Sequence, residues 1–131
     1  MQYREKILND NAFLVSETDS KGIITYANEE FCNVAEYKLE ELVGMPHNIV
    51  RHDDMPKAAF DDLWKTVKED KVWQGFVKNK SKSGNFYWVY ATVYPFETCS
   101  GANGFLSCRR KASTEEIMEY TALYKQMKAK E

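Results

Sequence analysis

Several residue types and patterns that mark common protein classes are scarce in this sequence. No apolar run approaches the roughly 18 residues that a membrane span needs, and the polar N-terminus has no apolar signal-peptide region. The three cysteines, Cys32, Cys99 and Cys108, form no CxxC pair, so we expect no disulfide framework and a reducing, cytoplasmic compartment. With a net charge of −2, the chain also lacks the basic field of a nucleic-acid-binding protein.

Catalytic and metal-binding motifs are absent from the sequence as well. It contains no HxxxH, CxxC or DxD cluster with metal-ligand spacing, no Ser-His-Asp set and no Walker loop. Arg51-His52-Asp53 is not a kinase catalytic loop, because no glycine-rich loop or DFG motif accompanies it. We therefore expect neither a metal site nor enzymatic activity.

Aromatic side chains, in contrast, are abundant. Three Trp, eight Tyr and seven Phe make up 14% of the 131 residues, which exceeds what the single core of so short a chain needs. We expect some of these rings to line a ligand pocket or an interface. The length leaves no room for two large domains with a catalytic cleft between them.

The hydrophobic periodicity changes three times along the chain. Alternating or β-branched runs predict strands over residues 12–17, 23–27, 72–80, 86–96 and 104–111. Short apolar stripes predict small helices after a cap at Asn28. A 3.6-residue stripe predicts one longer helix, capped by Asp53 or Asp54 and with Pro56 in its first turn; the stripe consists of Phe60, Leu63, Trp64 and Val67. This order favours an α+β fold in which helices on one face of a five-stranded antiparallel sheet enclose a pocket.

Two further patterns point to surfaces. The strand over 86–96 places Trp88, Tyr90 and Tyr94 on the side away from the pocket, where they form an interface unless residues 1–11 cover them. A capping box from Ser113 to Glu116 starts a final helix with a seam of Ile117, Tyr120, Tyr124 and Met127. This seam packs on the domain itself, on a second copy, or continues into a longer signalling helix.

The middle of the chain resembles the PAS fold. The motifs are Gly22 to Asn28 followed by Phe31, the run from Val50 to Phe60, Trp73-Gln74-Gly75, and Tyr87-Trp88-Val89. Together they are most similar to the PAS domain of bacterial aerotaxis (energy taxis) receptors. The resemblance covers residues 12–112, which leaves an N-terminal cap segment at 1–11 and a C-terminal signalling or linker helix at 113–131.

The resemblance implies a sensor that binds FAD non-covalently and relays redox or energy state to a chemotaxis signalling module. The family's flavin-binding positions correspond here to Asn28, Arg51, His52, Asp54, Trp64, Trp73 and Asn79. Asp53 departs from the family pattern, in which proline is frequent. Partners implied are a second copy or a neighbouring signalling domain, reached through the outer sheet face or the final helix. The end at Glu131 leaves two readings open, an excised domain of a membrane-bound receptor or a short sensor with a separate partner.

Residue chemistry is consistent with these positions but leaves alternatives. Arg51 and His52 precede a helix start, where a guanidinium and free N–H groups suit a pyrophosphate, although an Arg–Asp surface pair with a helix cap explains them too. Asn79 is either a buried amide that needs a partner or a solvent-facing strand residue. Trp64 lies on the apolar stripe of the long helix, which faces the sheet across the expected pocket. It can therefore be a core residue and part of the cofactor-site wall at once. Arg109 faces the pocket if its side of the last strand is the inward side.

Other functions stay open at this point. The first is a cofactor-free PAS interaction module that dimerises through its aromatic sheet face. The second is a haem-based gas sensor, although the long helix has no histidine. The third is a small flavoenzyme, which a flavin filling the pocket would leave without a substrate site. Light sensing through a cysteine adduct is disfavoured, because no cysteine lies in the required motif.

Overall fold

A computed structural model describes residues 2–97 and 101–131. The strands are β1 (Leu14–Asp19), β2 (Ile24–Ala27), β3 (Trp73–Lys80), β4 (Phe86–Glu97) and β5 (Asn103–Lys111). The helices are α1 (Glu29–Ala35), α2 (Leu39–Leu42), a 3₁₀ turn (His47–Val50), α3 (Lys57–Lys68) and α4 (Thr114–Ala129). All predicted strands and helices are present, and the strand ends lie within two residues of the predicted ones. Cys99 and the centre of the loop expected over 97–103 lie outside the described residues.

The five strands form one antiparallel sheet in the order β2-β1-β5-β4-β3. The long strands β4 and β5 lie side by side near its centre. The inner face packs against α1, α2 and α3. Fully buried side chains there include Leu14, Phe31, Tyr87 and Val89, which confirms the predicted inward side of β4.

The connections follow from local side-chain chemistry. Asn28 is the N-cap of α1, since its Oδ1 accepts a hydrogen bond from the Phe31 amide at 3.0 Å. Helix α3 begins differently from expectation. Asp53 or Asp54 was expected to cap it, but Pro56 is the N-cap residue and offers no side-chain hydrogen bond. The first amides of α3 therefore need a partner from elsewhere in the chain.

Helix α4 covers the part of the outer sheet face that β3 and β4 form around Phe76 and Trp88. Tyr124 stacks on Trp88 with ring centroids 6.0 Å apart, and Tyr120 packs on Phe76 at 4.3 Å. The Tyr124 hydroxyl donates to the Phe76 carbonyl at 2.6 Å. Of the three places open to the helix seam, this structure shows the domain's own surface.

The outer aromatic face is thus less open than we expected. Trp88 is 4% exposed beneath α4, whereas Tyr94, beyond the end of the helix contact, is 40% exposed. Residues 2–11, the described part of the N-terminal segment, do not provide this cover. They lie beside the β3–β4 turn instead, where the Lys6 amide donates to the Phe86 carbonyl and the Phe86 amide donates to the Arg4 carbonyl.

The docking of α4 generates a first prediction. Tyr124→Phe keeps the ring stack on Trp88 but removes the donor to the Phe76 carbonyl, a loss of roughly 0.5–1.5 kcal/mol. Hydrogen exchange of the α4 amides should therefore become several-fold faster. Tyr120→Phe is the matched control, because no hydrogen bond from its hydroxyl occurs within the described residues. Equal exchange rates in the two variants would show that the Tyr124 hydrogen bond does not hold the helix.

Candidate functional site

A cavity lies between α3 and the inner face of the sheet. Its enclosed volume is about 80 Å³. Small-molecule sites typically measure roughly 300–1,000 Å³, so a ligand of that size would have to move the surrounding side chains apart. Its walls come from β1, β3, β4, β5, α3, the 3₁₀ turn and two connecting segments. The lining residues are Thr18, Gly22, His47, Arg51, Phe60, Leu63, Trp64, Val77, Asn79, Ala91, Val93, Phe105, Ser107 and Arg109.

Aromatic and aliphatic side chains make one wall of the cavity. Trp64 on α3 meets Phe105 on β5 edge to face, with ring centroids 5.5 Å apart. Gly22 lies directly beneath the Trp64 ring, where a Cβ atom would come within 3.0 Å of it. The positive φ of 82° at this residue also favours glycine. Trp64 can occupy this position because residue 22 has no side chain.

Arg51 enters the cavity from the chain that follows the 3₁₀ turn. Its backbone pairs with Asn79 at the edge of β3, which fixes the direction of the side chain. The guanidinium carbon lies 3.6 Å from the centre of the Phe60 ring, a cation–π contact. Partial burial lowers the pKa of Arg51. The side chain is thus held by a ring rather than by a carboxylate.

A second arginine forms the polar end of the cavity. Arg109 on β5 is 6% exposed and donates to Ser16 Oγ at 3.0 Å and to His47 Nε2 at 2.9 Å. Because a guanidinium only donates, His47 Nε2 accepts, and the neutral ring carries its proton on Nδ1. Burial lowers the pKa of Arg109 to about 10, which leaves it a cation at neutral pH.

His47 stays neutral beside this charge. Burial of the ring, reinforced by the charge of Arg109, lowers the pKa of His47 to about 3. No carboxylate pairs with Arg109 within the described residues, and the Phe31 ring, 5.2 Å from the guanidinium carbon, is its other close neighbour. The cavity therefore holds a positive charge that no described acidic side chain neutralises.

Several buried polar atoms at the cavity have no hydrogen-bond partner among the described residues. They are Arg51 Nε, Asn79 Nδ2 and Ser107 Oγ. Behind this wall, the buried hydroxyl of Tyr87, opposite Asn79 in the β3–β4 register, also has no partner among the described residues. Burial raises the pKa of Tyr87, so it stays protonated. A buried polar atom without a partner costs about 1–3 kcal/mol. These atoms suit a flat ligand with apolar faces and a polar edge.

The structure brings together four of the residues singled out from the sequence. Arg51, Trp64 and Asn79 line the cavity, and Arg109 joins them because the inward parity of β5 is confirmed. Asn79 is 3% exposed, so it is a buried amide and not a solvent-facing strand residue. Trp64 belongs both to the helix stripe and to the cavity wall.

The other four predicted site residues lie outside the cavity. Asn28 uses its amide structurally, accepting from the Val15 and Phe31 amides and donating to the Phe13 carbonyl. The Trp73 indole donates to Asp62 at 2.9 Å.

His52 and Asp54 lie beside the edge of β3. His52 Nδ1 accepts from the Asp54 amide at 3.0 Å, and its ring packs on Phe86 at 5.9 Å. Burial, together with the charge of Lys78, lowers the pKa of His52. The Asp54 carboxylate forms an ion pair with Lys78 at 2.7 Å, and this contact lowers the pKa of Asp54. The alternative that the sequence left open, an Arg–Asp surface pair, does not form in the described part of the chain, because Asp54 pairs with Lys78 instead.

Three residues of the site were not singled out from the sequence. Ser16 and Ser107 are polar residues at inward positions of β1 and β5. The alternation of side chains along each strand is the signal that could have identified these positions. His47 follows Met45-Pro46 in a stretch without periodicity, so no local signal places its ring next to Arg109. Within residues 2–97 and 101–131, no group of three or more His, Cys, Asp or Glu side chains is placed to hold a metal ion. No helix in that part of the chain is long and apolar enough to cross a membrane.

Comparison with known sequences identifies relatives. The PAS fold family matches residues 24–108. The aerotaxis receptor of Escherichia coli (strain K12) is 47% identical over 122 residues, which are 93% of this chain and 24% of the receptor. The nitrogen fixation regulatory protein of Klebsiella pneumoniae is 26% identical over 106 residues, which are 80% of this chain and 21% of that protein. The chain thus spans about a quarter of the length of these relatives.

Solved structures show the same fold. A light-oxygen-voltage domain from a study of a flavin analogue superposes with a TM-score of 0.72 at 16% identity, covering 86% of this chain and 87% of that one. The PAS domain of a protein from Colwellia psychrerythraea gives a TM-score of 0.68 at 20% identity, covering 79% and 89%. These similarities confirm the predicted α+β architecture with its five-stranded antiparallel sheet.

The lowered pKa of His47 generates a pH prediction. The unfolded chain binds a proton at His47 below its ordinary pKa of 6.5, whereas the folded chain does so only near 3. The free energy of unfolding should therefore decrease as the pH falls from 7.5 to 5.5, by at most about 1.4 kcal/mol per pH unit for this group. In His47→Gln, which retains an acceptor for Arg109, this part of the slope should disappear. Urea denaturation of both proteins at several pH values is the measurement, and parallel curves would contradict a neutral His47.

Proposed function

Because the chain belongs to the PAS fold family, we propose that it is a sensor domain that binds FAD non-covalently and relays redox state to a chemotaxis signalling module. The observation that supports this most directly is the cavity wall. It combines aromatic side chains with unpartnered buried polar atoms on Asn79, Ser107 and Arg51. The resemblance to aerotaxis receptors, at 47% identity for one of them, supports the same ligand class.

The residues present fit a flavin. Its ring has two apolar faces, which Trp64, Phe105 and Val77 would contact, and an edge of carbonyl oxygens and nitrogens. The unpartnered Nδ2 of Asn79 is a donor for such an edge, and Ser107 Oγ both donates and accepts. When bound, a flavin supplies reversible electron transfer with proton uptake at a ring nitrogen.

The two arginines would have different roles. Arg51 comes from the segment that leads into α3 and would face the phosphates, because a guanidinium pairs well with two oxygens at once. Arg109 is buried beside His47 and Ser16 and keeps its charge. The charge of Arg109 would stabilise the protonation and redox state of a bound flavin that places more negative charge on the polar edge of its ring.

The four predicted site residues outside the cavity would have other roles. His52 and Asp54 follow Arg51 along the chain and would contact the adenosine diphosphate end of the dinucleotide, outside the cavity. Asn28 and Trp73 are positioning residues in this proposal, because their polar atoms are already bonded within the protein. Asn28 holds the start of α1, which carries Phe31 beneath Arg109.

Partners and location follow from the same proposal. The signalling module would belong to the remainder of a longer receptor or to a separate protein in the cytoplasm. The surfaces available to it are α4 and the exposed end of the outer face around Tyr94. A second copy is the other candidate partner. We propose no reaction on a substrate, because a bound flavin would fill the cavity.

Absorbance spectroscopy of the purified protein tests the proposal and its rivals. A flavin spectrum, with one FAD released per chain on denaturation, is the expected result. A Soret band would identify a haem sensor. That outcome conflicts with the hydrogen bond from Arg109 to His47 Nε2, which keeps this nitrogen from an iron. Failure of the apoprotein to bind added FAD, FMN or riboflavin would favour a cofactor-free interaction module.

A matched pair of arginine variants tests the site. Arg51→Ala should remove a charge-assisted contact worth roughly 1.5–3 kcal/mol and weaken FAD binding at least tenfold. Arg110→Ala is the control, since Arg110 also stacks on an aromatic ring, at 4.3 Å from Tyr90, but lies on the outer face. Circular dichroism establishes that both variants fold. Unchanged FAD content in Arg51→Ala would refute the role of this residue.

A further inference from the structure

The C-terminal part of α4 contacts the segment that leads from the cavity into α3. Lys128 Nζ donates to the backbone carbonyl of Asp53. Just beyond the helix, the two carboxylate oxygens of Glu131 accept from the Lys57 and Ala58 amides at 3.1 and 3.0 Å. These contacts join residues more than seventy positions apart in the chain.

The contact of Glu131 compensates for a weakness in α3. Its N-cap residue, Pro56, has no side chain that can accept hydrogen bonds from the first amides. The Glu131 carboxylate takes this place, and the backbone amides lower its pKa. A carboxylate at a helix N-terminus is also favoured by the helix dipole. The start of α3 is thus capped by a residue just beyond α4 in the chain.

The other end of the same segment is part of the cavity wall. The Arg51 backbone pairs with Asn79, and the His52 amide donates to the Lys78 carbonyl at 3.3 Å. The Lys78 amide in turn lies 3.3 Å from the Met55 sulfur. One short segment therefore carries a cavity arginine at its beginning and the α4 contacts at its end.

We propose that Lys128 and Glu131 form a latch that couples the docking of α4 to the order of residues 51–58, and through them to ligand binding in the cavity. The identity of the ligand rests on the proposed function, whereas the latch itself does not. Docked α4 holds the far end of the segment and so favours the position of Arg51 seen here. By linkage, a ligand that engages Arg51 stabilises docked α4 by the same factor.

Hydrogen exchange and FAD titration together test the latch. The test variant is Lys128→Met with Glu131→Gln in the full chain. The control is Lys125→Met with Glu119→Gln, which makes the same charge changes on α4 at exposed residues without hydrogen bonds or ion pairs inside the described residues. The informative amides are Arg51, His52 and Met55, because their hydrogen-bond acceptors are not latch residues.

In the ligand-free protein, the test variant should show exchange at these three amides that is at least about threefold faster than in the control. FAD should bind the test variant more weakly by a similar factor, and FAD should slow α4 exchange in the wild type. Unchanged exchange at Arg51, His52 and Met55 would overturn the latch whether or not FAD binds. Faster exchange with unchanged FAD affinity would overturn the coupling to the cavity. Absence of FAD binding in the wild type would overturn the proposed function and leave the exchange result to decide on the latch.

Discussion

The geometry of the cavity depends on the hydrogen bonds of one buried guanidinium. Arg109 joins β5 to Ser16 on β1 and to His47 in the 3₁₀ turn, at distances near 3 Å. A charged group in this position must keep its partners, since a buried charge that loses them is strongly destabilising. The 3₁₀ turn continues directly into Arg51, so the same interaction also sets where the second arginine enters. Sheet, turn and cavity wall are thus held in one arrangement.

Strand periodicity made the inner face of the sheet predictable. Alternation along the two central strands assigns Ala91 and Val93 to one side and Phe105, Ser107 and Arg109 to the same side of the neighbouring strand. A helix stripe at three- and four-residue spacing does the same for Trp64. These features are local, and each strand or helix carries its own signal. They place Trp64 on the stripe that faces the sheet, whereas for Asn79 and Arg109 they leave open which side of the strand is buried.

Features that depend on distant partners were not predictable in the same way. Asp54 looks like a helix cap in sequence, yet it pairs with a lysine 24 positions away. The amide of Asn28 suits a ligand equally well, but three backbone groups already use it. The seam of α4 has the same composition whether it meets this sheet or a second chain, so sequence alone leaves its partner open. In each case the local pattern is compatible with several partners, and tertiary packing selects one.

The covered aromatic face has a consequence for recognition. Trp88 and Phe76 contact Tyr124 and Tyr120 of α4. A partner protein that binds Trp88 and Phe76 therefore competes with α4, which belongs to the same molecule. Its apparent affinity is the intrinsic affinity multiplied by the fraction of molecules in which the helix has left the sheet. A docking free energy of about 2.8 kcal/mol would weaken such a partner about a hundredfold. Small changes in the docking free energy of α4 would then change the apparent affinity of the partner, while the binding surface itself stays the same.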